Sequence, residues 1–152
     1  MIRCIILTLW VLVLSDIKIS AQPHSEDYLI SALRKYSKSD TVKLDLYEQV
    51  FKYYGSRQQF DLMELYLDSV RILSVKQNLK GKLYDAQFRA ALFYHSKTRY
   101  SEALSHYQEA YTIADATNHT YNMARVLLNT GAIYMDSKDY VKALEKNQQA
   151  IP

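Results

Sequence analysis

The chain has 152 residues and a formal net charge of +3, from 19 Lys and Arg against 16 Asp and Glu. That length suits one domain able to bury a core. With 3 Gly and 2 Pro it lacks the turn residues that all-β folds consume, and no block of Lys or Arg marks a nucleic-acid footprint.

The first element reads as a secretory signal peptide over residues 1–21. Arg3 gives a short positive start, and Cys4 to Leu14 is apolar except for Thr8. Ser15, Asp16 and Lys18 restore polarity, and Ile19-Ser20-Ala21 places a small residue before Gln22, the order expected of a cleavage site. The run of 11 residues is short of the roughly 20 that span a bilayer, so no stable membrane span is expected after cleavage. Cleavage would remove Cys4, the only cysteine, and leave 17 basic and 15 acidic residues. A chain without thiols suits an oxidising compartment, and the expected location is periplasmic or secreted.

Residues 22–40 follow as an N-terminal helix and linker. Tyr28, Leu29, Ala32, Leu33 and Tyr36 predict a helix over 25–37, and Lys38-Ser39-Asp40 reads as the linker, with Asp40 or Thr41 capping the next helix. Beyond it, apolar stripes at helical spacing predict helices near 41–55, 59–78, 82–97, 100–117, 121–136 and 139–151. Asp139 is expected to cap the last helix, and Thr98 the one beginning at 100.

These helices repeat. Tyr94, Tyr100, Ala103, Leu104 and Ala110 recur as Tyr134, Tyr140, Ala143, Leu144 and Ala150, a period of 40 residues. One period earlier stand Tyr54, Phe60, Met63, Leu67 and Val70, alike in character rather than identity. A fixed period of this length marks stacked supersecondary units. The units run about 41–80, 81–120 and 121–152, the last incomplete, since its final helix stops short of its predecessor's end. Small residues at matched positions (Ala91 and Gly131, Ala103 and Ala143) are expected where the two helices of a hairpin approach, with Tyr94, Tyr134, Tyr100 and Tyr140 filling the space around them.

At these residues the chain resembles the tetratricopeptide repeat. The last unit carries Gly131, Tyr134, Ala143 and Ala150 at the pattern's Gly, Tyr and Ala positions, with Leu127 at its Trp and Asn147 at its later aromatic. The middle unit carries Ala91, Tyr94, Ala103, Tyr107 and Ala110. The resemblance covers 41–152 and implies an all-α fold, a right-handed α-solenoid of helical hairpins. The period exceeds the usual ~34 residues, and since the spacing of 12 from Gly131 to Ala143 is kept, the extra residues fall later in the unit. Long repeats of this kind resemble those in extracytoplasmic regions of bacterial sensor kinases and regulators.

The resemblance implies a scaffold that binds a protein or peptide partner, is not an enzyme and needs no cofactor. The partner would lie on the concave face of the first helices. The positions carried over are Asp45, Glu48, Gln49 and Lys52 in the first unit, then Asp85, Phe88, Arg89 and Leu92, then Arg125, Leu128, Asn129 and Ala132. The basic-and-amide clamp that some relatives use for a carboxylate is not reproduced: Phe88 and Leu128 stand at its lysine, Leu92 and Ala132 at its asparagine. The four His, His24, His95, His106 and His119, show no i, i+4 pair and no cysteine to join them, so no metal site is expected. No nucleophile motif, P-loop or dinucleotide fingerprint occurs, and no nucleic-acid partner is expected. The alternatives are a structural role, in which Val141, Leu144 and Ile151 at the final helix lack a covering cap and would favour association of copies through that end, or a truncated fragment with no independent function, which would leave the same face uncovered.

Overall fold

A computed structural model describes residues 25–151. The segment read as a signal peptide, with Cys4 and Trp10, lies outside the described residues, as do His24 and Pro152. The described chain is seven helices and no strand: α1 (Glu26–Lys35), α2 (Thr41–Ser56), α3 (Phe60–Lys76), α4 (Lys80–His95), α5 (Tyr100–Asp115), α6 (Thr120–Asp136) and α7 (Tyr140–Gln149). None is long and apolar enough to cross a membrane. Each packs on its neighbour in sequence, the hairpins α2–α3, α4–α5 and α6–α7 most closely, and α2 also touches α4 directly. The molecule is an all-α solenoid of three hairpins with α1 laid on the first.

The connections explain the period. Gln58, Asn78, Thr98, Asn118 and Lys138 all adopt left-handed backbone, with φ of 63°, 55°, 57°, 51° and 62°, and they stand 20 residues apart. After each, the next amide reaches back to a carbonyl five residues earlier: Gln59 to Tyr54, Leu79 to Ser74, Arg99 to Tyr94, His119 to Ala114 and Asp139 to Tyr134, at 2.8–3.1 Å. This closes each helix in a Schellman motif. The next helix starts at once, so one residue ends a helix and caps the following one. Of these five junction residues, Asp139 alone caps with its side chain, accepting from the Lys142 amide at 3.2 Å. Asp40 caps α2 as expected, accepting from Val42 and Lys43. The expectation for Thr98 is corrected: it is the left-handed residue closing α4, and Arg99 is the N-cap of α5 without a side-chain bond.

The matched small residues lie where the hairpins close. Ala91, Ala103 and Ala143 are buried, and a Cβ on Gly131 would run into the Asn147 carboxamide. The first hairpin solves the same problem one turn later. Phe51 and Met63, both fully buried, replace the small pair, and the close approach moves to Gly55. A Cβ there would lie 3.0 Å from Met63 Sδ and 2.5 Å from the Phe93 ring. The aromatic residues fill the remaining space: Tyr54 stacks on Tyr66 at 5.6 Å and Tyr94 on Phe60 at 4.8 Å between ring centres. Each large apolar side chain so buried contributes about 1.5–3 kcal/mol.

Candidate binding faces

The first helices of the hairpins, α2, α4 and α6, carry all the positions expected to meet a partner. Four of these positions, Asp45, Glu48, Phe88 and Arg125, instead join one unit to the next. Lys82 on α4 reaches back to α2, its ammonium 2.9 Å from Asp45 Oδ1 and 3.3 Å from Glu48 Oε1. The Asp45 hydrogen bond leads in holding the Lys82 ammonium above its usual range, against the opposing effect of desolvation and with help from the charge of Glu48. Glu48 also pairs with Lys52 at 3.5 Å. One unit on, the Arg125 guanidinium lies over the Phe88 ring at 4.0 Å, and Tyr84 donates to the Asn122 carbonyl at 3.4 Å. Phe88 is corrected from groove to core: it is 3% exposed, stacked on Tyr84 and set edge-on to Tyr107. Its position is apolar because Arg125 covers it.

What remains exposed is narrower. Asp85, Arg89 and Leu92 form one stripe along α4, and Leu128 and Ala132 continue it on α6. Gln49 is exposed on α2, and with Lys52 and Leu29 it edges a recess of about 330 Å³. Asn129 is partly covered, and its amide donates to the Arg125 carbonyl of its own helix at 2.8 Å, so it does not extend the stripe.

On the other side, a chain of hydrogen bonds runs through α3, α4 and α5. Tyr94 donates to Glu64 at 2.6 Å, and His106 Nε2 lies 3.2 Å from the same carboxylate oxygen. His106 Nδ1 faces Gln87 Oε1 at 2.7 Å, and the Gln87 amide donates to Glu109 at 2.6 Å. The imidazole stacks on Tyr94 with 5° between planes. Burial pushes the Glu64 carboxyl up, but the bonds from His106 and Tyr94 outweigh it, and the group sits below its ordinary range. Burial first, then the Glu64 carboxylate, drives the Tyr94 phenol well up. Read in the sequence only as metal ligands, the histidines gave no sign of this network. His95, too, is paired, to Asp136 on α6 at 2.9 Å.

The third hairpin holds different residues at the same places. Forty positions on, Glu64, Gln87, His106 and Glu109 become Leu104, Leu127, Lys146 and Gln149. There the space stays open as a cleft of about 280 Å³, with Tyr107 and Tyr134 in its walls. No group of three or more His, Cys, Asp or Glu able to hold a metal occurs among the described residues.

Residues 83–152 match the family model described as Tetratricopeptide repeat. The solved structure titled "Crystal structure of BtubC (BKLC) from P. vanneervenii" is similar at a TM-score of 0.64 and 18% sequence identity, over 82% of this chain and 52% of that one. This chain thus spans about half the length of the structure it matches, and the likeness bears on fold alone. Comparison with curated proteins gives no match. The match over 83–152, with the helical hairpins and their period, supports a protein of repeats like the tetratricopeptide repeat (TPR).

Proposed function

We propose that this TPR-like chain is an exported scaffold that binds a protein or peptide partner along α4 and α6, serving as the sensory front of a signalling protein. Repeats of this kind generally mediate protein–protein contacts. The observation that carries the reading is the stripe of Asp85, Arg89, Leu92, Leu128 and Ala132, which stays uncovered while its neighbours Asp45, Glu48 and Arg125 are engaged between units. Its chemistry, one charge of each sign beside exposed leucines, suits an amphipathic segment better than a free carboxylate. Residues 1–21 support export, and the long period supports the sensory role by resemblance.

A photo-crosslinking side chain at Leu128 tests the binding face. The expected result is a partner adduct from Leu128 and none from Gln108 on α5; adducts of equal yield from both positions overturn the reading. N-terminal sequencing of the exported chain is expected to begin at Gln22, and a start at Met1 overturns export.

A second reading rests on α7. Val141 is 80% exposed and Leu144 is exposed beside it, at places whose counterparts on α5 include the half-buried Leu104. That face suits association of copies end to end, and Leu144→Glu would abolish it.

A further inference from the structure

The helix α3 has two apolar sides. One is the core side, with Met63, Leu67, Val70 and Leu73 buried. On the rest of its surface Leu62, Leu65, Ile72 and Val75 are 38%, 58%, 66% and 65% exposed. The architecture does not demand this. Forty positions on, α5 places Glu102, Ser105, Thr112 and Asp115 at the same four points, and a second helix of a hairpin evidently packs well with polar residues there. An exposed aliphatic stripe without a packing reason marks an interaction surface.

We propose that α3 is the interface of a two-fold homodimer, lying antiparallel against α3 of a second copy. The stripe is its own complement. Leu62 with Val75, Leu65 with Ile72 and Asp61 with Lys76 all share one midpoint, between Asp68 and Ser69. A two-fold contact pairs residue i of one copy with residue j of the other and j with i. Centred at that midpoint, it sets Leu65 beside Ile72 of the second copy, Leu62 level with Val75, and Asp61 near Lys76. The opposite charges of Asp61 and Lys76 meet in this arrangement, while Asp68, next to the axis, is held by Arg71 of its own helix at 2.7 Å. A parallel arrangement would set like charges together. Ser69 at the crossing is small, and its hydroxyl donates to the Leu65 carbonyl of its own helix at 3.1 Å, so the close approach leaves that hydroxyl satisfied. Beside it a recess of about 260 Å³, edged by Tyr47, Ser69 and Ile72, lies where Leu65 of the second copy arrives. A partner of unrelated sequence would have no need of this internal mirror.

Sedimentation velocity on the full chain tests the dimer. The wild type is expected to associate reversibly, and L65S/I72T, which installs the residues of α5, to weaken association by at least about tenfold, or 1.4 kcal/mol. Asp61→Lys should weaken it and D61K/K76D restore it, a rescue that requires the two positions to meet across the axis. In a Cys4→Ser background, Ser69→Cys should form a disulfide-linked dimer, while Ser105→Cys on α5 should not. Circular dichroism should show unchanged helix content, since Asp61, Leu65, Ile72, Lys76 and Ser105 are exposed and Ser69 is half-buried. A wild type that stays monomeric at all concentrations overturns the proposal. So does a dimer indifferent to L65S/I72T, or one dissolved by Leu144→Glu, which points to the end of α7 instead.

Discussion

At the scale of single residues, the left-handed positions are where the chain carries local strain. Such positions favour glycine or asparagine, as at Asn78 and Asn118, yet the chain places Gln58, Thr98 and Lys138 at the other three. Thr98 is the most strained, because a β-branched side chain is poorly tolerated at positive φ. Thr98→Gly should therefore stabilise the fold by about 1 kcal/mol, read as a higher midpoint in urea. Gly55 works in the opposite sense. Alanine is ordinarily better in a helix by about 1 kcal/mol, but at Gly55 its methyl would meet the Phe93 ring. Gly55→Ala should destabilise by about 1–3 kcal/mol, the range for an overpacked core, and a rise in stability would show that Phe93 moves freely. The same scale shows where single residues mislead. Phe88 reads as a groove residue because an apolar side chain on a first helix has two uses, and only the placement of Arg125 over its ring decides between them. Thr98 reads as a cap because threonine is common there, while its left-handed φ depends on the tight closure of α4.

At the scale of elements, the hydrogen-bonded chain from Tyr94 to Glu109 fastens α3, α4 and α5. Its pH dependence follows from Glu64. The folded-state pKa is lowered, so its contribution is present above the ordinary carboxylate pKa and is lost as pH falls through the folded value. Glu64→Gln should lower stability at neutral pH and flatten the loss between neutral and acid; an unchanged acid limb would remove Glu64 from the account. At the alkaline end, burial and then the bond to Glu26 push the Tyr54 phenol up to about 12. Its contribution is complete below about 10 and is lost as pH rises toward 12. Tyr54→Phe should reduce that alkaline loss. The elements themselves were the most legible feature of the sequence, since the 40-residue period and the stripes set all seven helices within a few residues. The polar network was not legible. Glu64 and His106 stand 42 positions apart, and the constellation occurs at one joint, between the first and second hairpins, so the repeat that reveals the helices conceals it.

At the scale of the whole molecule, the units share geometry while their joints differ in chemistry. The first two hairpins are fastened by charged and hydrogen-bonded side chains, Lys82 to Asp45 and Glu64 to His106. The second and third meet through Arg125 on Phe88, Tyr84 on the α6 backbone and His95 on Asp136, around a cleft left open. α4 buries seven residues, whereas α7 buries only Ala143. In a stack where each unit leans on its neighbours, such unevenness becomes an order of opening. Amide exchange should be fastest in α7, then α6, and slowest in α4; uniform exchange across the three would show that the stack opens as one body. A ligand gripping the stripe from Leu92 to Leu128 would bridge the weaker seam like a splint. Its arrival would then register far from the contact itself, as slowed exchange in α7, a helix it need never touch.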